Sequence, residues 1–181
     1  GNNIFFIITY QFQNNLYGRL EWEFGGNSHS LGDTFGFSGA EKGEYAKASY
    51  YRLDKNDNGY KLIRETTLKN PVAPVEAILT DSGFLITIDN WHNVGFGEIV
   101  VIYTPEGIVQ KSYRLIDLYE EEKIEKMDFS VSSVLWRCGA YPPHANYGKL
   151  EIFDSFGGLL SFDYLASTFE YSKKAVDCTS D

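Results

Sequence analysis

The sequence predicts an all-β domain built from antiparallel hairpins, and three observations lead to this prediction. Aromatic residues are abundant, with 13 Tyr, 13 Phe and 3 Trp, and large aromatic side chains suit the pleated surface of a sheet. The 17 glycines are spread along the chain and can supply its turns. Apolar residues also alternate with polar ones, as at Leu20, Trp22 and Phe24, which is the period of a strand with one wet face.

Strand-like runs separated by turn residues give the order of the predicted elements. Hairpins are predicted at residues 4–24, 45–68, 75–88, 98–115 and 149–165. The one departure is residues 116–127, where apolar residues recur at helical spacing around a run of glutamates. This stretch predicts a short amphipathic helix.

Length and charge limit the domain organisation and the partners. A chain of 181 residues is long enough for one hydrophobic core, so a single domain over 1–181 is expected. With 16 Lys and Arg against 25 Asp and Glu, the formal charge of −9 repels nucleic acids and anionic membranes. No apolar run approaches the roughly 20 residues of a membrane-spanning helix. The expected partner is therefore a small-molecule or protein ligand of unknown identity, either cationic or neutral.

An internal repeat bears on the architecture. Residues 96–109 align without gaps on 147–160, an offset of 51, and repeats of about 50 residues are typical of propeller blades. Through the turns at 81–83 and 104–107, residues 75–115 resemble a blade of bacterial β-propeller-like proteins of unknown function. The resemblance implies a small propeller-like arrangement of the hairpins. Because this length makes only about four such blades, a two-sheet β-sandwich of the same hairpins is the alternative.

The two cysteines, Cys138 and Cys178, are 40 residues apart and do not have the spacing of a metal knuckle. Either they are free thiols in a reducing compartment, or they form a disulfide that holds the polar C-terminal tail in an oxidising one. The sequence begins at Gly1 without a basic signal region, which is consistent with a signal peptide removed earlier. A secreted or periplasmic location is expected, with a cytoplasmic one as the alternative.

The candidate ligand-binding residues are Asp89, Trp91 and His92, which follow the apolar run 84–88. Loops at strand ends are common positions for binding residues because the sheet holds them rigidly. An indole beside an imidazole and a carboxylate can stack on a sugar or another flat ligand and hydrogen-bond its edge. The alternative is that Trp91 covers the core and His92 binds a backbone carbonyl.

A second candidate site lies in the turn of the hairpin 45–68. The run from Asp54 to Gly59, followed by Glu65, fits the written pattern of a calcium-binding EF-hand loop, with ligands at Asp54, Asn56, Asn58 and Glu65. The flanking residues are strand-like, whereas an EF-hand loop joins two helices. A hairpin turn rich in Asx residues is the alternative, and no metal site is assigned.

Catalysis is the competing function class. His29, His92 and His144 lie in separate loops and could converge on a metal ion or a substrate, although their spacing does not require it. The sequence contains no Gly-x-Ser-x-Gly motif, phosphate loop or dinucleotide fingerprint, so no catalytic residue or cofactor is assigned. The sequence therefore favours an exported binding or interaction module that uses the rim loops of a β scaffold. A small hydrolase or metal-dependent enzyme is the alternative.

Overall fold

A computed structural model describes residues 7–11, 17–21, 46–54, 59–70, 74–90, 93–174 and 176–178. These residues are mostly β, as predicted. The strands are β1 (Ile7–Gln11), β2 (Tyr17–Glu21), β3 (Lys47–Asp54), β4 (Gly59–Thr67), β5 (Glu76–Leu79), β6 (Leu85–Ile88), β7 (Val100–Tyr103), β8 (Val109–Tyr113), β9 (Asp128–Phe129), β10 (Val134–Leu135), β11 (His144–Asn146), β12 (Lys149–Phe153), β13 (Leu159–Asp163) and β14 (Thr168–Ser172). Two four-residue helices, α1 (Leu115–Leu118) and α2 (Glu121–Ile124), lie between β8 and β9.

The strands form several small antiparallel sheets. Two of these sheets have four strands each, in the orders β5-β6-β7-β8 and β11-β12-β13-β14, and they are called the first and the second sheet below. The pairs β1-β2, β3-β4 and β9-β10 are two-stranded. Neighbours in each sheet are consecutive in the chain, which is the expected result of a sequence made of hairpins.

Two hydrophobic cores lie on opposite faces of the first sheet. The main core is shared with the second sheet and contains Ile86, Ile88, Ile99, Val100, Ile102, Tyr113, Leu115, Tyr119, Met127, Val134, Trp136, Leu150, Ile152, Leu160, Phe162 and Tyr164. The small core is shared with β3-β4 and contains Ala46, Ala48, Tyr50, Leu68, Ala77, Leu85, Val101 and Tyr103. Since successive strand residues face opposite sides, the apolar run of β7 fills both cores at once.

The described strands form no closed propeller or barrel, so the propeller-like arrangement expected from the repeat is not seen. The residue types of the second sheet give the reason. In β12 the buried Leu150 and Ile152 alternate with the exposed Lys149 and Glu151. A blade of a closed propeller has a neighbour on each face, whereas this sheet has one apolar face and one polar face.

Three hairpin turns, which begin at Thr80, Thr104 and Asp154, have the same geometry. In each turn, the N–H of the first residue donates to the carbonyl of the residue four positions later. The carbonyl of the first residue accepts from the N–H three positions later, and all of these distances are 2.8–3.0 Å. The fourth position has a positive φ and is occupied by glycine in all three turns (Gly83, Gly107 and Gly157), because glycine adopts this conformation without a Cβ penalty. The side chain of the first residue also accepts a backbone N–H within the turn.

These turns correct the register of the internal repeat. Thr104 and Asp154 make equivalent hydrogen bonds and are 50 residues apart, not 51. At an offset of 51, Val101 would match Ile152, yet Val101 belongs to the small core and Ile152 to the main core. A slip of one residue moves a side chain to the other face of its sheet, so the ungapped alignment was wrong by one position.

The single helix predicted at 116–127 is also wrong in detail, because two short helices occupy this stretch. The chain is extended at Tyr119, with φ −138° and ψ 147°, and at Glu120, with φ −65° and ψ 147°. This break turns the Tyr119 ring into the main core, where only 8% of the residue is exposed. Helical spacing located the element, but burial of one aromatic ring interrupts it.

The cysteines form a disulfide, Cys138–Cys178, as one of the two alternatives for this pair expected. Val176 lies beside the turn that starts at Asp154 and donates its N–H to Gly157. The disulfide therefore holds the C-terminal tail against the turn between β12 and β13. In the described part of the chain, no helix is long and apolar enough to cross a membrane.

Candidate functional site

The predicted binding loop begins at Asp89, directly after β6. This residue has a φ of 57° and is completely buried. Its Oδ1 accepts hydrogen bonds from the Gly95 N–H at 2.9 Å and from the Trp136 indole at 2.8 Å. Its Oδ2 accepts from Arg137 Nε at 3.0 Å. A carboxylate at the strand end thus ties the loop to a segment of chain almost fifty residues away.

Arg137 extends this cluster to the first strand of the same sheet. Its second nitrogen pairs with Glu76 at the start of β5, and only 18% of its side chain is exposed. Burial raises the pKa of Asp89 above its ordinary value, while the Arg137 guanidinium and the N–H donors act in the opposite direction. Replacing only Arg137 or only Asp89 would lower the free energy of unfolding, because the remaining buried charge would be left without its partner.

A second polar network fixes the other end of the loop. The Asn90 side chain is buried and donates to the carbonyls of Phe96 and Glu98 at 3.0 and 3.3 Å. It accepts from Asn70, which in turn accepts from the Thr87 hydroxyl at 2.9 Å. All of these polar groups have partners, so the network stabilises one loop conformation rather than adding an unpaired buried group.

The loop also packs closely against β10. Val134 donates its N–H to the Val94 carbonyl at 2.8 Å. A Cβ at Gly95, which has a φ of 79°, would lie 2.7 Å from atoms of Val134. Only glycine fits here, which means that the loop approaches β10 backbone to backbone.

Trp91 and His92 lie outside the described residues, between Asn90 and Asn93. Of the three predicted binding residues, the structure therefore describes Asp89 alone. Both of its carboxylate oxygens are engaged with the protein itself. The contact of these three residues with a ligand stays a prediction. The structure adds that the residues on both sides of Trp91 and His92 are hydrogen-bonded, since the Asn93 N–H donates to the Asn90 carbonyl at 2.9 Å.

Sequence reasoning missed Trp136 and Arg137, which complete this cluster. Trp136 is fully buried, and a buried indole N–H usually needs an acceptor. The sequence pattern supplies that general signal, but it does not show that the acceptor is Asp89. The pairing depends on how the two sheets pack and has no local signature.

The calcium-loop pattern falls on a β-hairpin. β3 and β4 pair antiparallel, with Asp54 opposite Gly59 and Glu65 opposite Ser49. Six residues of strand separate Glu65 from Gly59, or about 20 Å, and its carboxylate accepts from the Ser49 hydroxyl at 3.2 Å. Asn56 and Asn58 lie outside the described residues. Glu65 is too far from the turn to act as the bidentate ligand of an EF-hand loop.

The structure describes only one of the three histidines that were considered as a shared metal or substrate site. His144 is exposed in β11, opposite Glu151, whereas His29 and His92 lie outside the described residues. Among the side chains that the structure describes, no three His, Cys, Asp or Glu come together as metal ligands.

Comparisons with known proteins add no family to this description. No protein-family model, curated protein or solved structure matches the chain. The likeness to propeller blades stays a prediction, and the local chemistry of the loop is the basis for a functional proposal.

Proposed function

We propose that the protein is an exported binding module and that its ligand site is the loop after β6. In this proposal Trp91 and His92 contact the ligand, and Asp89 positions the loop that carries them. The observation that supports it is the completely buried Asp89, which joins the loop to Trp136 and Arg137. Burying a carboxylate costs desolvation energy, and several donors compensate for that cost here. Such a carboxylate can fix the position of the loop residues next to it.

The hydrogen bond from the Asn93 N–H to the Asn90 carbonyl fixes the two residues that flank Trp91 and His92, and fixed flanks favour binding because less conformational entropy is lost when the ligand arrives. The indole of Trp91 offers an apolar face, and the imidazole of His92 offers a donor and an acceptor beside it. This pair suits a neutral ligand with one flat apolar face and polar edges, such as a sugar ring. A small hydrolase or metal-dependent enzyme is the alternative.

Export is supported by the disulfide Cys138–Cys178. Disulfides persist in oxidising compartments and are rare in the cytosol. The proposed location is therefore outside the cell or in a periplasm.

An array of immobilised glycans tests the ligand class. The wild type is expected to bind at least one glycan saturably, and Trp91→Ala should weaken that binding by about tenfold or more, as expected for an aromatic anchor. His92→Ala should weaken it as well. His144→Ala is the matched control, since it removes an exposed imidazole from another element and should leave binding unchanged.

Thermal melts of the same variants separate binding from packing. If Trp91 covers the core, its removal costs about 3 to 5 kcal/mol and lowers the melting temperature sharply. An unshifted melt together with lost binding supports the proposal. Absence of saturable glycan binding by the wild type, or full binding by both Trp91→Ala and His92→Ala, overturns it.

A further inference from the structure

Lys123 of α2 lies inside a cage of aromatic rings. Its Nζ is 4.1 Å from the ring centre of Tyr171, 4.5 Å from that of Tyr119 and 4.9 Å from that of Phe156. It also donates hydrogen bonds to Asp154 Oδ2 at 3.0 Å and to the Tyr171 hydroxyl at 2.8 Å. Several aromatic faces around a carboxylate form a recognition site for an ammonium group.

Asp154 provides the charge of this cage and is completely buried. Its Oδ1 accepts the backbone N–H groups of Phe156 and Gly158 at 3.0 and 2.7 Å. Its Oδ2 accepts from the Tyr119 hydroxyl at 3.3 Å and from Lys123. One oxygen thus stabilises the turn, while the other faces the cage.

The two equivalent turns show that the turn itself needs no carboxylate. Thr80 and Thr104 occupy the same position, and each accepts a turn N–H with its hydroxyl, at 3.0 and 3.2 Å. A threonine is sufficient there, whereas an aspartate adds a buried negative charge and a second acceptor. At position 154 the second acceptor is directed at an ammonium group, which gives the carboxylate a role beyond the turn.

We propose that this cage is a binding site for the primary ammonium group of an amine ligand and that Lys123 is its displaceable occupant. A primary ammonium is favoured over a quaternary one because two of the cage contacts are hydrogen bonds from N–H to Asp154 and Tyr171. The site shares no residue with the loop that carries Trp91 and His92. Either proposal can therefore fail without the other.

The surroundings of Lys123 allow it to leave. α2 has only four residues, and none of them is buried. Lys123 keeps 29% of its side chain exposed, while Phe156 and Tyr171 are 43% and 38% exposed at the edge of the cage. The exposed Glu120, Glu121 and Glu122 lie beside it and would receive the displaced ammonium in water. One cation replaces another, so the charge of Asp154 stays compensated.

Titration with n-butylammonium, followed by NMR of ¹³C-labelled tyrosine rings, tests the site. In the wild type, saturable shifts are expected at Tyr119 and Tyr171. Lys123→Ala should bind n-butylammonium about tenfold more tightly or better, because the ligand no longer competes with an internal cation. Nα-acetyl-lysine amide, tested in parallel, distinguishes a lysyl side chain from a small free amine as the source of the ammonium group.

Asp154→Thr is the matched control variant, because it reproduces the residue of the two equivalent turns and removes the charge, the second acceptor and one of the two turn hydrogen bonds. It should fold and lose the ammonium-induced shifts. Neutral n-butanol should cause no saturable shift, and tetramethylammonium, which has no N–H, should bind less tightly than n-butylammonium.

Three results would overturn the proposal. These are no saturation in a folded Lys123→Ala, equal shifts in Asp154→Thr and the wild type, or equal binding of n-butanol. If Lys123→Ala fails to fold, the wild type and Asp154→Thr still decide the question.

Discussion

Asp89 and Asp154 occupy comparable places in the two four-stranded sheets but are held in different ways. Each ends a strand, each is completely buried, and each is paired with one basic side chain. Asp89 faces an indole and a guanidinium that is itself paired with Glu76. Asp154 faces a flexible lysine in a partly open aromatic cage.

The two basic partners differ in how firmly they are held: Arg137 is a fixed partner of Asp89, whereas Lys123 is an exchangeable partner of Asp154. Arg137 is fixed by two carboxylates and 18% exposed, whereas Lys123 rises from a four-residue helix and is 29% exposed. A planar guanidinium is held by its several donors, while an ammonium on a flexible stem moves into water more easily. The first aspartate therefore stabilises the fold, and the second forms a site that can change its occupant.

Replacing the two basic residues is expected to give the largest difference. Arg137→Ala leaves Asp89 buried without a cation and should lower the free energy of unfolding by about 3 kcal/mol. Lys123→Ala should cost less, because Asp154 keeps three donors whereas Asp89 keeps two, and because Lys123 is more exposed than Arg137. Urea denaturation followed by circular dichroism measures both values. Equal losses would contradict the distinction between the two aspartates.

The pH dependence of these variants has a definite sign. Burial raises the pKa of Asp89 in the folded state, so protonation favours folding. The corresponding stability is fully present below the unfolded pKa of about 3.9 and is lost as the pH rises through the folded pKa. Because Arg137 lowers the pKa of Asp89, Arg137→Ala should lose more stability than the wild type between pH 4 and neutrality, as urea midpoints at several pH values would show.

Removal of the disulfide is expected to act mainly on one of the two regions. Cys138→Ser with Cys178→Ser opens a covalent loop of 40 residues and should cost about 2 to 4 kcal/mol. Hydrogen exchange should accelerate at the amides of Gly157 and Gly158, next to the released tail, before it accelerates at Gly95. Equal acceleration at Gly95 would mean that the two aspartates are not independent.

The state of these cysteines also bears on export. Thiol titration of the denatured protein, purified from its native source without reductant, should detect no free thiol. Two free thiols would favour a cytosolic location instead.

The smallest effect is expected at Asp117, which lies on the segment that leads to the cage. Its carboxylate accepts from the Arg114 N–H at 2.8 Å and from the Arg114 side chain, and the hydrogen bond to Arg114 lowers its pKa. This contribution is present above the ordinary pKa of aspartate and is lost as the pH falls through the lowered value. Asp117→Asn should speed exchange of the Tyr119 amide a few-fold without moving the unfolding midpoint. A clear shift of the midpoint would show that α1 contributes more than its exposure suggests.

Most of the strands could be predicted because their signals are local. The turn residues 81–83 and 104–107, with apolar runs on both sides, identify two hairpins correctly, and the apolar run 84–88 contains β6, which is buried on both faces. The register of the repeat could not be predicted, because all four residues of β7 are apolar and a shift by one residue still matches apolar residues with apolar residues. The bulge in the pairing of β7 with β8 was not predicted either, because a bulge depends on how the strands twist together and leaves no clear pattern in the sequence.

The residues of a candidate site could be predicted only where they lie close together in the sequence. Asp89 was singled out because it follows an apolar strand, but two of its partners, Trp136 and Arg137, follow β10 and are far away in the sequence. Lys123 lies in a charged run that predicts a solvated helix face, while its cage is assembled from residues 119, 154, 156 and 171. Such contacts arise from the packing of the sheets, and sequence spacing does not record them.

The polar outer face of the second sheet limits how the molecule can pack against another sheet. Lys149 and Glu151 are exposed on this face, and a charged face does not accept another sheet without a desolvation cost. Growth by face-to-face stacking is therefore blocked on this side, as it is by the terminal repeat of a solenoid. Labels attached to side chains at positions 149 and 151 are expected to leave the folded structure and both candidate sites undisturbed.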